Sequence, residues 1–244
     1  MGDTGTCGCT KPVSVGTDAE LLDLIVHEVR RALRERRPAP VTRTAAGAGT
    51  HPRIPLGVSN RHIHLTEGTF HRLFGPGARF EQMRPLYQPG EFASAHTLTV
   101  IGPKLRSIPG VRILGPLRKY DQVEVSLTDA IFLGIDPPVA NSGTLKEAAP
   151  LTLAGPAGSV YLERCAIVAG RHIHMTTADA LRLGVRDGDY CRVRIGGEKC
   201  TIFDRVLIRT NDNWRLQIHL DTDDANAANV RDDTDVEFLG KMDG

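Results

Sequence analysis

The sequence predicts a mostly β protein built from two similar β modules, and three observations carry that expectation. Glycine (25) and proline (15) punctuate a 244-residue chain in which aromatic residues make up only 5%, a composition that suits many short strands and tight turns better than a helical bundle. From Ile54 onward, short apolar or alternating runs are separated by Gly, Pro and Asp, the pattern of strands bounded by turns. The third observation is an internal repeat. RHIHLTEGTFHRL from Arg61 and RHIHMTTADALRL from Arg171 match at Arg, His, Ile, His, Thr, Arg and Leu with one constant offset. Each copy reads as a strand end followed by a short helix, so two modules related by a pseudo-two-fold, with a shared site, are the natural architecture.

Residues 1–16 are Gly/Thr-rich and unpatterned, and Thr17-Asp18-Ala19-Glu20 reads as a capping box opening a helix. Leu21, Leu22, Ile25, Val29, Ala32 and Leu33 share one face of that helix, arginines load its C-terminal end, and Pro38 stops it. Asp18, Glu20, Asp23 and Glu28 crowd its first half, which is unlike a secretory signal, so export is not expected. Residues 38–53, PAPVTRTAAGAGTHPR, read as a flexible tether. The chain thus divides into a tail and amphipathic helix (1–37), a linker (38–53) and a globular body. The apolar stripe of a tethered helix has no core of its own, so it docks on a partner or folds back on the body.

In the body, LTVIG, VRILG, QVEVSL, SVYLERCAIVAG, YCRVRIGG and KCTIFDRVLIRT are strand candidates, while TEGTFHRLF, LTDAIFLG and TTADALRLG suggest short helices. Lys+Arg 30 against Asp+Glu 29 leaves a charge of +1, which gives no overall footprint for nucleic acid or an anionic membrane, so an anionic ligand must be held locally. No apolar stretch approaches the roughly 20 residues that span a bilayer. Cys7, Cys9, Cys165, Cys191 and Cys200 form neither a CxxC pair nor an even disulfide framework, which suits a reducing compartment.

His62 and His64 lie two residues apart, as do His172 and His174, and side chains at i and i+2 of a strand share a face. Such a pair can pinch a metal, and a third ligand with an open position would make a catalytic zinc site. One HxH is weak evidence; the same tetrapeptide twice, inside a longer repeat, is strong. In WRLQIHLD the apolar Trp214, Leu216, Ile218 and Leu220 alternate with Arg215, Gln217, His219 and Asp221, so His219 projects from the polar face. In QVEVSL, Val123, Val125 and Leu127 face the core and Glu124 and Ser126 face away. Periodicity leaves both Glu124 and His219 open between ligation and solvent exposure, the commoner fate of a lone strand Glu. His27, His51, His71 and His96 lack partners in the pattern and read as structural or solvated. Arg61 and Arg171 point away from the histidines beside them and read as supports of the fold. Arg118 follows a Gly-Pro turn six residues before Glu124, where a guanidinium could fork onto phosphate oxygens.

IPLGVSNRHIHL, QPGEFA, LGPLRKYDQVEVSLTDA, LGIDPPVANSG, AGRHIHM and QIHLDTDDANA together resemble the PduL-type phosphate acyltransferases of bacterial microcompartments, over about 54–236. The resemblance implies two small β-barrels with short capping helices, one composite (54–60 with 170–244) and one formed by 61–169. It implies two zinc ions per chain, one held by His62, His64 and Glu124 and the other by His172, His174 and His219. Arg118 falls on the family's essential arginine and Ser142 on a serine near the active centre. Ala140-Asn141-Ser142-Gly143-Thr144 departs from the Arg-Asp-Ser-Gly-Asp type of turn, a difference that touches substrate contacts and leaves every expected ligand in place. The implied reaction exchanges an acyl group between coenzyme A and inorganic phosphate, and the tethered helix looks like the peptides that load enzymes into microcompartment shells. No Cys flanks either HxH and no GxSxG elbow occurs, so no side-chain nucleophile is expected. Two rivals stand beside this reading: a binuclear zinc hydrolase with a carboxylate bridging both metals, and a shell or scaffold protein with structural zinc. Acyl-chain length is left open, and so is a homo-oligomer.

Overall fold

Short strands that bury both faces have no solvent side and can be satisfied only by closing on themselves or on a neighbour. The computed structural model describes residues 26–28, 51–232 and 234–242. Of the expected N-terminal helix, only residues 26–28 are described, as helical and exposed; its remainder and the linker as far as residue 50 lie outside the described residues.

In chain order the first elements are β1 (Arg53–Ser59), β2 (His62–His64), α1 (Glu67–Phe74), β3 (Gln82–Pro85), β4 (Phe92–Ile101), β5 (Ser107–Gly115), β6 (Gln122–Val125) and α2 (Leu127–Leu133). There follow β7 (Val139–Ala140), β8 (Ala149–Gly155), β9 (Gly158–Ala169), β10 (His172–Met175) and α3 (Thr177–Leu183). The last are β11 (Tyr190–Ile195), β12 (Thr201–Thr210), β13 (Gln217–Asp221), α4 (Thr222–Ala227) and β14 (Asp235–Lys241).

The strands close two six-membered rings. One barrel runs β1-β13-β10-β12-β11-β14, and in the other the path β4-β5-β2-β6-β9 is closed by β8, which pairs with both β4 and β9. The rings match strand for strand. β2 runs parallel to β5 and antiparallel to β6, as β10 runs parallel to β12 and antiparallel to β13; β6 is parallel to β9, as β13 is parallel to β1. Each ring encloses its own core, around Ile63, Phe70, Ile113, Val123 and Leu151 in one and Ile54, Ile173, Val193, Ile208 and Ile218 in the other. A fully buried side chain of this kind contributes about 1.5–3 kcal/mol.

The pairing exchanges strands between rings. β1 belongs to one barrel and runs directly into β2 of the other, and β9 runs into β10 in the opposite sense. The crossovers are Asn60-Arg61 and Gly170-Arg171.

Strand ends and helix starts are set by side-chain caps. Thr66, Ser126, Thr176 and Asp221 accept from the backbone N–H three residues on, capping α1 to α4, and Ser126 with Asp129 and Thr176 with Asp179 form full capping boxes. Ser126 therefore ends the strand. The sequence pattern carries that strand to a core-facing Leu127, whereas Leu127 opens α2 and is exposed.

Candidate active site

The four capped helices mark where the chemistry sits, because each N-cap lies two residues after a candidate ligand: Thr66 after His64, Ser126 after Glu124, Thr176 after His174 and Asp221 after His219. Pairing register then selects partners. His62 lies opposite Glu124 on the β2–β6 ladder, and His172 lies opposite His219 on β10–β13. The result is two clusters, His62 with His64 and Glu124, and His172 with His174 and His219, each able to present three ligand atoms within 4.8 Å of one another. All six residues named as metal ligands from the sequence are brought together.

The donor set suits a metal. His62 Nε2 lies 3.5 Å from Glu124 Oε2, near the roughly 3.3 Å between ligand atoms of a tetrahedral zinc. Nδ1 of His62 and of His172 each faces a backbone carbonyl at 2.8 Å, that of Asn60 and of Gly170, so both rings can donate there and keep Nε2 as a lone pair for a cation. Nδ1 of His219 lies 3.4 Å from Ser59 Oγ. By contrast His64 Nδ1, both ring nitrogens of His174 and His219 Nε2 are buried without any hydrogen-bond partner. Orphaned polar atoms in such a place are costly unless something binds them. Burial, reinforced by neighbouring imidazoles, pushes His174 down to about 2 and His219 down to about 3, and burial likewise lowers His64 and His172. Those rings are neutral at physiological pH, the form that ligates.

Both clusters line one cavity of about 650 Å³. Its wall carries Arg61, Arg84, Arg112, Arg118 and Arg209 against Glu91, Glu124 and Asp232, so a chain of almost no net charge holds a local excess of cations where an anion would enter. Trp214 stacks on His174 with centroids 4.0 Å apart.

Arg118 and Ser142, the two residues that the family resemblance places at the active centre, meet in that wall. The Arg118 backbone N–H donates to the Leu65 carbonyl at 2.8 Å, while its side chain donates to Glu91 at 3.1 Å, Tyr120 Oη at 2.9 Å and Ser142 Oγ at 3.4 Å. Lys119 is exposed and absent from the lining. His71 and His96 bond to backbone carbonyls of Gly75 and Arg79, as structural histidines do.

Sequence reasoning passed over two glutamines. Gln122, fully buried, donates to Glu124 Oε1 at 2.7 Å and Ser142 Oγ at 2.8 Å and accepts from the Gly143 N–H at 2.7 Å. Gly143 holds φ at +91°, a conformation glycine adopts without strain. Gln217, at the matching place in the other barrel, meets Gln88 at 3.3 Å, and Gln88 also bridges to the backbone of Arg215. A second repeat was available to find them: QVEVSLTDA from Gln122 and QIHLDTDDA from Gln217 share Gln, Asp and Ala at the same offsets. A methyl group on Gly57, whose register partner is His219, would come within 2.6 Å of the Gln217 side chain.

Comparison with known proteins points to one family. The family model of phosphate propanoyltransferase matches residues 55–231. A phosphate propanoyltransferase of Lachnoclostridium phytofermentans is 43% identical over 209 residues, covering 86% of this chain and 93% of the relative. Another, of Rhodopseudomonas palustris, is 43% identical over 222 residues, covering 90% and 98%. The one of Salmonella typhimurium is 44% identical over 207 residues, covering 84% and 91%.

Proposed function

Since this chain belongs to the phosphate propanoyltransferase family and is a phosphate acyltransferase, we propose that it exchanges a short acyl group between coenzyme A and inorganic phosphate, with zinc held at the two three-ligand clusters. The observation that carries this reading is the convergence of both clusters and Arg118 on one cationic cavity. A phosphate oxygen attacks the thioester carbonyl carbon, the C–O bond forms, the C–S bond breaks with its electron pair going to sulfur, and the proton given up by phosphate ends on the thiol of coenzyme A.

His62, His64 and Glu124 would hold one ion and His172, His174 and His219 the other. Zinc, when bound, supplies Lewis acidity toward oxygen and affinity for a thiolate sulfur. The chain's own groups do the rest. Arg118 presents a planar fork that matches two phosphate oxygens. Ser142, held by Gln122, offers a hydroxyl to the same anion, and Leu86, Tyr87 and Trp214 wall the cavity.

The hydrolase alternative expects a carboxylate shared by both metals, and among the described residues no side chain belongs to both clusters. Thiol release from a series of acyl-CoA thioesters decides between the two: strict dependence on phosphate is expected, and release at the same rate without phosphate would overturn the acyltransferase reading. The N-terminal segment is proposed as an address to a microcompartment shell, where the enzyme would return coenzyme A for reuse; its support is the sequence pattern of a stripe on a tether.

A further inference from the structure

We infer that Arg61 with Asp129, and Arg171 with Asp224, are paired positioning residues, each setting the geometry of one metal cluster from the point where the chain crosses between barrels. The inference rests on the two-zinc reading above and deepens it.

The pairs are the same in atomic detail. Arg61 Nε donates to Asp129 Oδ2 at 2.8 Å and its Nη2 to Oδ1 at 2.7 Å; Arg171 Nε donates to Asp224 Oδ2 at 2.6 Å and its Nη2 to Oδ1 at 2.8 Å. Each is a two-bond fork, the strongest and most directional form of ion pair. The places match as well. Arg61 directly precedes His62 and Asp129 follows Glu124 by five residues, while Arg171 directly precedes His172 and Asp224 follows His219 by five.

Position makes these pairs act on the ligands. Each arginine stands in the crossover, between the residue whose carbonyl faces a ligand ring and the ligand itself: Asn60 O faces His62 Nδ1 and Gly170 O faces His172 Nδ1. If the crossover turns, the carbonyl and the ring turn with it, and Nε2 leaves its aim. The aspartate holds that turn from the helix whose N-cap, Ser126 or Asp221, lies two residues after the third ligand. Arginine and aspartate thus close a ring through both ligand strands of a cluster, from His62 to Glu124 in one and from His172 to His219 in the other. Duplication argues against an incidental surface contact. The copies have diverged at the third ligand, Glu in one and His in the other, yet both keep the Arg, the Asp and the fork.

The test measures metal, apart from turnover. Full-length protein is loaded with zinc and titrated with a chromophoric chelator, with circular dichroism and melting recorded alongside. Wild type should hold two equivalents. In Arg61→Ala one equivalent should weaken by about 10- to 100-fold, the usual effect of losing a residue that orients a ligand, while the other stays near wild type; Arg171→Ala should do the same to the other equivalent, and the double variant should weaken both. Arg61→Lys should recover part, having charge without the fork. Should Arg61→Ala fail to fold, Asp129→Asn, nearly the same shape, takes its place with the same expectation. If either variant holds both equivalents as tightly as wild type, or loses both by the same factor, the pair is a general clasp of the fold and the inference fails. A wild type without zinc would instead remove the metal reading itself.

Discussion

The carboxylate of Glu91 accepts from Nη2 of Arg118 at 3.1 Å, while Nη1 of the same guanidinium donates to Tyr120 at 2.9 Å. The fork assigned to phosphate is therefore partly filled by an acid of the protein's own, brought in by the turn between β3 and β4. Arg118→Ala should lower turnover by about 100- to 1,000-fold, as loss of a comparable transition-state donor does, with zinc content unchanged. Lys at this position should restore only part. His62→Ala should lose metal and rate together, so metal analysis beside kinetics separates the two roles.

Glu91→Gln should bind phosphate more tightly. A part-exposed ion pair is worth about 0.5–1 kcal/mol, so relieving the competition should lower the KM for phosphate about two- to fivefold. An unchanged KM with a lower kcat would mean that Glu91 holds Arg118 in place instead.

Gln122→Ala should be costly for so small a change. It removes from Glu124, Ser142 and the Gly143 N–H the contacts made now at 2.7, 2.8 and 2.7 Å respectively; Ser142 keeps Arg118 at 3.4 Å and the exposed Gly143 can turn to water, so buried Glu124 bears the loss. A buried polar group that loses its partner costs about 1–3 kcal/mol, and that is the loss expected in chemical denaturation.

Thiol reactivity should separate the cysteines of the body. Cys165 and Cys191 are buried, and burial pushes both thiols up to about 12, whereas Cys200 is exposed. A thiolate is the reacting species. At neutral pH, peptide mapping after brief native labelling should find Cys200 modified and the other two intact until denaturant is added.

Removal of residues 1–45 should leave turnover intact and abolish co-localisation with shells, as expected if residues 38–53 act as the flexible tether that their composition suggests. Diffuse fluorescence from the same segment fused to a fluorescent protein, in cells that make shells, would count against the address.

The mostly β class and the HxH strands were legible because a period of two and an exact repeat survive in the letters. Strand alternation worked in β4 and β5, which have a wetter side. It could not place Glu124. All of Gln122, Val123, Glu124 and Val125 are buried, so β6 has no solvent face against which alternation could register, and the resemblance alone pointed to the ligand. Leu127 was misread for a related reason: Ser126 caps a helix, and a cap on a short strand looks like one more alternating residue. Gln88 was invisible because its partners Arg215 and Gln217 lie 127 and 129 residues away.

Duplication alone would leave a cage whose two ends are interchangeable, and a thioester meeting phosphate has ends that are not. Glu124 standing opposite His62, where His219 stands opposite His172, removes that equivalence. A divalent ion among two imidazoles and a carboxylate carries one unit less positive charge than one among three imidazoles. With an ion in each cluster the cavity would therefore have a direction, a weaker and a stronger electrophilic pole, and that one difference between the copies would set which way round an incoming molecule lies.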